Sequence, residues 1–529
     1  MILLFIVSLS SYFAYYLIKN TKSLHMLQQN WYNDSNRYLF WLLKNPIKVF
    51  INPDMFFILF VICSFINFEY STLIFFIFYF ICILLYLKAK KTEQVKKPLA
   101  YTKRIKRLIM TSIIIMIIVF VTMCLNLDES NIYIYYLLLG LINYLNYFVM
   151  LLVNIINKPI EKLVYIYYKK KAKNKLKNMT NLNVIGITGS YGKTSSKNIL
   201  NDILSSKFDT CPTPKNFNTP NGLMITINNY LDKFSDVFIA EMGAFKVGEI
   251  KELCDFVKPK YGILTKIGTA HMESFGSQEN IQKTKFELIE SLPSNGCGIL
   301  NGDDPLQLSY KLKNDCNILW IGIENHDVDL YAENIKMDYK GMSFDCVFKG
   351  DKNKYHFETK LLGKANVYNI LAGVLLGNYL GISKEQLIQG VKKVNKIEHR
   401  LELKKYMDIN ILDDAYNSNP VGSKMALDVL NLMPGKKIIV TPGMIELGEK
   451  QFELNMEFGE YIANICDEVI LVGEDITKPI YKGLMNKNYD VKKIHIINDV
   501  KVAFKLMHEL KDKETYVLLE NDLPDIFNE

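Results

Sequence analysis

The sequence lacks several patterns that mark common classes of protein. Its nine cysteines include no C-x-x-C pair. We therefore interpret them as reduced thiols without a zinc site or a disulfide framework. No G-x-S-x-G segment is present, so a hydrolase built around that serine turn is not expected. Lysine and arginine exceed aspartate and glutamate only by 63 to 55. Without a dense basic patch, we expect no nucleic-acid partner.

Charged residues are scarce in the first third of the chain. A helix needs about 20 apolar residues to cross a bilayer. The first run has neither a basic leader nor an A-x-A-like cleavage site, so we interpret it as a helix and not as a signal peptide. We predict a multi-span membrane domain of about five helices over residues 1–157. The five apolar runs are Ile2–Ile18, Met55–Phe68, Ser71–Leu87, Leu108–Leu125 and Ile132–Ile156.

The loops between these runs predict an orientation. Residues 19–48 and 88–107 are rich in lysine and arginine, whereas the connections near Glu69 and at Asp128 are acidic. Basic loops stay in the cytoplasm. We therefore expect a multi-pass protein of a bacterial cell membrane, with its N-terminus outside and everything after Ile156 in the cytoplasm. Residues 158–182 are predicted to form a basic juxtamembrane linker that attracts anionic lipid.

After Asn183 the pattern changes to short apolar runs that alternate with amphipathic stretches. This alternation predicts an α/β fold with parallel, doubly wound sheets, in which ligands bind at the carboxyl ends of the strands. We divide this part into domains at 183–396 and 397–529. The segments predicted as strands are VIGIT, DVFIAEMG, YGILTKIG, GCGILNGDD, KKIIVTPG, EVILVGED and TYVLLEND.

The segment TGSYGKTS, residues 188–195, predicts a nucleotide site. Two glycines allow backbone N–H groups to close around phosphate, the lysine adds a positive charge and the threonine hydroxyl can reach Mg²⁺. A helix begins here and presents its N-terminus to the anion. The predicted cofactor-binding residues of this loop are Gly189, Ser190, Tyr191, Gly192, Lys193, Thr194 and Ser195.

Two residues further along could complete a metal site. Glu241 ends one predicted strand, and His271 follows another within a turn rich in small residues. Lys285 lies on a predicted helix, where taken alone it would be an ordinary solvated lysine. A lone histidine is more often a packing or surface residue than a ligand, but its place after a strand favours a role in the site.

Eight motifs in order resemble the Mur ligase family, whose ATP-dependent enzymes add amino acids to the peptide of bacterial cell-wall precursors. The resemblance covers roughly residues 183–529, and its last three motifs are most similar to the member that adds D-alanyl-D-alanine. The motifs are TGSYGKTS (188–195), EMGAFKVGEI (241–250), TKIGTAHMESFGSQENIQKTKFEL (265–288), LNGDDP (300–305), LLGKANVYNILAG (361–373), EHRLEL (398–403), DDAYNSNP (413–420) and MIELG (444–448).

The resemblance implies a role for each matching residue. Lys193 would hold the β- and γ-phosphates of ATP and Thr194 a Mg²⁺ ion, with Glu241 and His271 also binding metal. Lys285 matches a lysine that the family carbamylates to make a further metal ligand. Asn369 would contact the nucleotide, and Arg400 and Asp414 would reach ATP from the C-terminal domain. The implied catalytic residues are Lys193, His271, Lys285 and Asp414.

The implied reaction is amide-bond formation between a muropeptide-like carboxylate and an amino acid or dipeptide, by way of an acyl phosphate. Four departures qualify this expectation. Lys266 and Ala365 replace a usual Asn and His, changes that we expect to leave ATP use intact. Pro442-Gly443 replaces Gly-Asp, and LLENDLPD (518–525) stands where a Lys-Gly-Ser run is usual. The last two departures lie in the domain that holds the incoming amine, so they leave the identity of the amine open.

The membrane domain occupies the place of the family's soluble precursor-binding domain, which leaves several functions open. The acceptor could be lipid-linked, or the helices could recruit the enzyme to a cell-wall assembly complex. Within enzymes, the alternative is a membrane-tethered polyglutamate-type ligase. From another class, the alternative is a degenerate ligase that binds ATP and acts as a scaffold for cell-wall enzymes. Retention of the loop lysine and the metal-site residues argues against the scaffold.

Overall fold

The structure, a computed structural model, falls into two compact units that divide between Tyr167 and Tyr168. The finer predicted boundaries, at 1–157, 158–182, 183–396 and 397–529, remain predictions. The structure describes residues 2–33, 37–59, 68–92, 98–126, 128, 132–269, 271–416, 418–445 and 447–521.

The first unit is helical, but it supports only part of the predicted set of crossings. Among its described residues, Tyr70–Ala89 and Lys103–Leu125 are long and apolar enough to cross a membrane. The predicted run Met55–Phe68 contains the end of a 3-10 helix, Pro53–Leu59, and its residues 60–67 lie outside the described part. The helices of this unit are Ile2–Gln29, Leu39–Lys44, Pro46–Phe50, Phe68–Thr92, Lys103–Leu125, Ile132–Tyr144 and Asn146–Asn178.

The last predicted crossing is not one straight helix. Ile132–Tyr144 and Asn146–Asn178 meet at an angle of 78°. Together they form at most one broken span, which would be the third crossing of the described residues. The second of these helices also continues to Asn178, through most of the stretch predicted as a linker. Lysine is a good helix former, so a lysine-rich stretch extends a helix when its charges are solvated.

A polar network lies inside the first unit. The Lys19 ammonium pairs with the Asp54 carboxylate, and both side chains are buried. Nearby, Tyr16 bonds to Ser112 at 2.7 Å, and Asn20 Nδ2 donates to the same hydroxyl at 2.9 Å. Buried charges are stable only when paired and hydrogen-bonded, so this network constrains how the helices pack.

The second unit contains two sheets, of which the first has nine strands in the order β2-β3-β1-β4-β5-β6-β7-β8-β9. Strands β1 to β7 pair in parallel, and β7, β8 and β9 pair antiparallel. Their bounds are β1 Asn183–Thr188, β2 Thr210–Pro212, β3 Val237–Glu241, β4 Tyr261–Leu264, β5 Cys297–Asn301, β6 Asn317–Gly322, β7 Leu330–Asp338, β8 Gly341–Phe348 and β9 Lys354–Thr359.

Helices cover the parallel part of this sheet. Lys193–Leu204 packs against Lys364–Tyr379, whose residues are buried almost all round. Apolar side chains of both helices and of the strands form one continuous core. The helices of this domain are Lys193–Leu204, Pro220–Asn229, Glu249–Val257, Met272–Phe275, Gln278–Glu290, Pro305–Leu308, Lys364–Tyr379 and Lys384–Lys392.

The second sheet has six strands in the order β10-β11-β15-β12-β13-β14, and only β10 runs antiparallel. Its strands are β10 Glu402–Tyr406, β11 Ile409–Asp414, β12 Lys436–Thr441, β13 Glu468–Val472, β14 Ile494–Ile497 and β15 Thr515–Glu520. Its helices are Pro420–Asn431, Gln451–Ile462, Glu474–Asn486 and Val500–Glu509, with 3-10 helices at Gly448–Lys450 and Val491–Lys493.

All seven predicted strands are confirmed, because each is a buried apolar run in a parallel sheet. The antiparallel strands β7 to β9 were not predicted. Side chains of β8 alternate between partly exposed and buried, which is the pattern of a sheet with one solvated face. The sheets are therefore mainly parallel, as predicted, with antiparallel strands at one edge of each.

Candidate active site

The predicted phosphate loop lies at the carboxyl end of β1 and leads into the helix Lys193–Leu204. Gly189 and Gly192 have φ angles of 152° and 82°, a region that side chains with a Cβ rarely adopt. A Cβ on Gly189 would also come within 1.9 Å of Thr265 Oγ1. The helix therefore begins directly after a turn that only glycine can make here, with its N-terminus open to an anion.

The end of β4 holds this loop in shape. Thr265 Oγ1 donates to the Tyr191 carbonyl at 2.7 Å, and the Ser190 amide donates to the Lys266 carbonyl at 2.9 Å. Lys266 thus supports the loop through its main chain, which any residue supplies. The Tyr191 hydroxyl lies 3.3 Å from Thr269 Oγ1, and Ser195 lies in the first turn of the helix.

The loop lysine folds back over the loop. Lys193 Nζ donates to the carbonyls of Gly189 at 2.7 Å and Ser190 at 3.1 Å. Burial lowers the pKa of Lys193, and the positive charge of Arg400 lowers it further, while Glu241 opposes both effects. An anion that binds in the loop would restore the charged form.

Glu241 is the centre of a buried polar cluster at the end of β3. Its Oε1 accepts from Thr194 Oγ1 at 3.1 Å and from Asn218 Nδ2 at 3.2 Å. Its Oε2 pairs with Lys197 Nζ at 3.1 Å, and both side chains are about 1% exposed. The structure therefore brings together Thr194 and Glu241, which are two of the residues predicted to hold Mg²⁺.

Lys197 is a site residue that the sequence reasoning missed. It lies four residues after Lys193, so both lysines share one face of the helix. Lys197 Nζ also donates to the Lys215 carbonyl. The signal available in the sequence was this i, i+4 spacing within KTSSK.

His271 and Lys285 lie close to Lys193 and have strongly shifted pKa values. Burial lowers the pKa of His271 to about 4, and the charges of Lys193 and Lys285 contribute. Burial, followed by the charge of Lys193, lowers the pKa of Lys285 to about 7. At pH 7 the imidazole is neutral, as a metal ligand must be, and about half of Lys285 is uncharged.

The surroundings of Lys285 explain this shift. The side chain is 2% exposed, and its Nζ lies 5.4 Å from the ring centroid of Phe275. The charges of Glu287 and Glu249 oppose the shift without cancelling it. The neighbouring Glu287 caps a helix, because its carboxylate accepts from the amides of Gly248 and Lys251 at 2.7 and 2.9 Å.

Residues from two further segments approach the loop. Asn369, on the helix Lys364–Tyr379, lies beside Gly192. A Cβ on Gly192 would be 3.5 Å from Asn369 Oδ1. Arg400 lies 4.4 Å over the Tyr416 ring and is close enough to Lys193 to affect its pKa. Asp414, at the end of β11, accepts from the Leu401 amide at 3.1 Å.

The oxygen donors of Glu241 and Thr194 supply only part of a Mg²⁺ site, and the phosphates of a substrate would have to supply the rest. Among the described residues, no three His, Cys, Asp or Glu side chains are grouped closely enough to hold a metal ion. Mg²⁺ usually takes one or two carboxylates together with substrate phosphates. Glu241 and Thr194 supply oxygen donors of that kind next to the phosphate loop.

Comparison with known proteins identifies two domains in the second unit. Residues 187–377 match the Mur ligase middle domain, and residues 399–520 match the Mur ligase, glutamate ligase domain. The UDP-N-acetylmuramoyl-tripeptide–D-alanyl-D-alanine ligase of Bacillus subtilis (strain 168) is 33% identical over 296 residues, which are 55% of this chain and 63% of that protein. The ligase of the same name from Escherichia coli (strain K12) is 29% identical over 294 residues, with coverages of 55% and 64%. The chain thus spans a little under two thirds of these curated relatives.

Solved structures of similar fold include MurF from Acinetobacter baumannii, with a TM-score of 0.61 and 23% identity over 68% of this chain and 77% of that chain. MurF ligase from Thermotoga maritima in complex with ADP has a TM-score of 0.59 and 27% identity, with coverages of 67% and 80%. These matches support a Mur ligase fold with central and C-terminal α/β domains.

The geometry of Gly189 gives a test of the phosphate loop. We expect Gly189→Ala to weaken ATP binding about 100-fold, since displacement of the Thr265 support costs about 3 kcal/mol. Gly350→Ala is the matched control, because Gly350 also has positive φ but has open space where a Cβ would lie. Isothermal titration with ATP measures both variants. Equal affinities for the two would contradict the assignment of the loop.

Proposed function

The chain belongs to the Mur ligase family through its middle and C-terminal domains, and from this premise we propose that it is an ATP-dependent ligase of cell-wall peptide synthesis. It joins an amine to the carboxylate of a muropeptide-like acceptor. The proposal is supported by the phosphate loop at the end of β1, by the bond between Thr194 and the Glu241 carboxylate, and by the electrostatic influence of Lys193 on His271 and Lys285.

The phosphate loop holds the triphosphate. The N-terminus of the following helix faces the anion, and Lys193 moves from its carbonyl partners to the phosphate oxygens. ATP supplies phosphoryl transfer to the acceptor carboxylate, which makes a mixed anhydride that an amine can attack. Asn369, Arg400 and Asp414 contact the nucleotide from the other side of the loop.

Thr194, Glu241 and His271, together with a carbamate on Lys285, would hold Mg²⁺, which would supply positive charge to the transferring phosphoryl group. Lys197 holds Glu241 in place through the buried ion pair. The surroundings of Lys285 lower its pKa and favour the neutral amine, which is the form that adds to CO₂ and releases one proton.

The nature of the amine is proposed from the relatives. The Bacillus subtilis and Escherichia coli proteins are named as D-alanyl-D-alanine ligases acting on UDP-N-acetylmuramoyl-tripeptide. We propose the same class of acceptor and a dipeptide or single amino acid as the amine. A polyglutamate-type ligase remains the alternative enzyme. The degenerate scaffold is disfavoured, because the structure retains Lys193, Thr194, Glu241, His271 and Lys285.

The first unit is proposed to attach the enzyme to the bacterial membrane, with the ligase domains on the cytoplasmic side. Two described helices are long and apolar enough to cross it, or three crossings form if the bent pair counts as one. One helix is enough for an anchor. The additional apolar helices favour contact with a lipid-linked acceptor or with other membrane proteins of cell-wall assembly.

The direct test of the proposal is phosphate release by the full-length protein in detergent. UDP-linked and lipid-linked muropeptides are each supplied with D-alanyl-D-alanine or with single amino acids. We expect release only when ATP, an acceptor and an amine are all present. Lys193→Ala should lower it by at least about 1,000-fold, because the transferring phosphate loses its fixed charge. Release without an acceptor would indicate a simple ATPase and contradict the proposal.

The carbamate gives a second prediction. Lys285→Ala should lower ligation by about 100-fold, because a metal ligand is lost, and added acetate should restore part of the rate. Lys283→Ala is the matched control, since Lys283 is an exposed lysine on the same helix. Mass spectrometry of protein trapped with ¹³CO₂ would show the adduct directly. Activity of Lys285→Ala equal to that of Lys283→Ala would contradict the role.

The membrane orientation is tested by cysteine labelling in intact cells. In a variant that lacks the native cysteines, a cysteine at position 129 should react with an impermeant reagent from outside. A cysteine at position 97 should react only after permeabilisation, because basic loops stay in the cytoplasm. The opposite pattern would place the ligase outside the cell, away from ATP, and contradict the proposed orientation.

A further inference from the structure

Two carboxylates lie side by side at the carboxyl ends of β11 and β15. Asp414 and Glu520 are paired in register on these adjacent parallel strands, which are about 4.8 Å apart. Side chains in register project from the same face of a sheet. Glu520 is fully buried and Asp414 is 8% exposed. Buried acids of this kind are rare unless they have a partner.

The hydrogen bonds around Glu520 leave half of its carboxylate without a partner. Ser418 Oγ donates to Glu520 Oε1 at 2.7 Å and lies 2.6 Å from Ser423 Oγ. Glu520 Oε2 has no hydrogen-bond partner among the described residues, and neither has the buried Arg400 Nε. A buried polar atom without a partner is costly, and each case needs an explanation.

The charge around the pair favours proton uptake. Burial raises the pKa of Asp414 to about 6, although Arg400 opposes the shift. Burial, followed by the negative charge of Asp414, raises the pKa of Glu520 well above its usual range. These shifts favour a protonated acid in the empty site, and a bound ammonium would oppose them and favour the carboxylate form that accepts a proton.

The position of the pair connects it to the phosphate loop. Arg400 acts electrostatically on Asp414 and Glu520 and also on Lys193. The pair lies at the carboxyl ends of two strands of the C-terminal sheet, and Asp414 accepts from the amide of Leu401, the residue after Arg400. Ligands of doubly wound sheets bind at this end of the strands.

We propose that Glu520, beside Asp414, binds the ammonium group of the incoming amine and accepts its proton, so that Glu520 is the general base of the second half of the reaction. The proposal rests on the ligase activity proposed above. An ammonium has no lone pair and cannot attack an acyl group. The unpartnered Oε2 would receive this group, and Ser418 would keep Oε1 in place.

The step balances as follows. The R–NH₃⁺ group gives one proton to Oε2, which leaves R–NH₂ and a carboxylic acid. The amine lone pair forms the C–N bond at the acyl carbon, and the bond from that carbon to the phosphate oxygen breaks. Phosphate leaves with that electron pair and takes up the second proton of the nitrogen, and the product is an amide.

The test compares two nucleophiles in the full-length protein with ATP and UDP-N-acetylmuramoyl-tripeptide. At pH 7, D-alanyl-D-alanine is mostly an ammonium, because an α-amino group has a pKa of about 8, whereas hydroxylamine is already mostly neutral and needs no base. Glu520→Gln keeps the size of the side chain and its bond to Ser418. We expect it to lower the rate with D-alanyl-D-alanine by about 100-fold or more and to leave acyl hydroxamate formation within about threefold of wild type.

Two further variants complete the test. Glu520→Asp should recover part of the D-alanyl-D-alanine rate, because it restores a base. Glu514→Gln is the matched control, since Glu514 is an exposed acid that directly precedes the same strand. Loss of both products in Glu520→Gln would make Glu520 a structural residue, and loss of neither would remove it from the reaction. Either result overturns the proposal. A wild-type protein that forms neither product would contradict the ligase function itself.

Discussion

The second unit is organised around an excess of positive charge in a place with little water. Lys193, Lys197, Lys285 and Arg400 converge near the ends of β1 and β3, and Glu241 is the buried acid that pairs directly with one of them. Burial is the main cause of the lowered pKa values of His271 and Lys285, and the like charges around them lower these values further. A polyanion bound at the helix N-terminus relieves this repulsion.

The uneven distribution of charge suits two different ligands in two parts of the second unit. Near the phosphate loop, cations dominate and suit an anionic nucleotide and the transferring phosphoryl group. At the ends of β11 and β15, the carboxylates Asp414 and Glu520 dominate and suit a cationic amine. A ligase must hold both charge types without letting them neutralise each other. Arg400, which lies over the Tyr416 ring, acts electrostatically on both Lys193 and the carboxylate pair.

Sequence alone predicted the parts of this arrangement that depend on local pattern. The loop, its strand and its helix lie together in the chain, and the ends of β3 and β4 follow the same apolar-run signal. Lys197 and Glu520 were missed because their importance depends on neighbours distant in sequence: Glu241 for one, and Asp414 on an adjacent strand for the other. The break after Tyr144 was also missed, since the apolar run continues through it.

The central claim is that ATP activates a carboxylate of the acceptor. Its most direct measurement uses acceptor labelled with ¹⁸O in that carboxylate and mass spectrometry of the phosphate released during ligation. Because the acyl–oxygen bond breaks when the amine attacks, we expect one ¹⁸O atom in each phosphate. Release of unlabelled phosphate alongside amide product would show that water, and not the acceptor, receives the phosphoryl group, and would contradict this account.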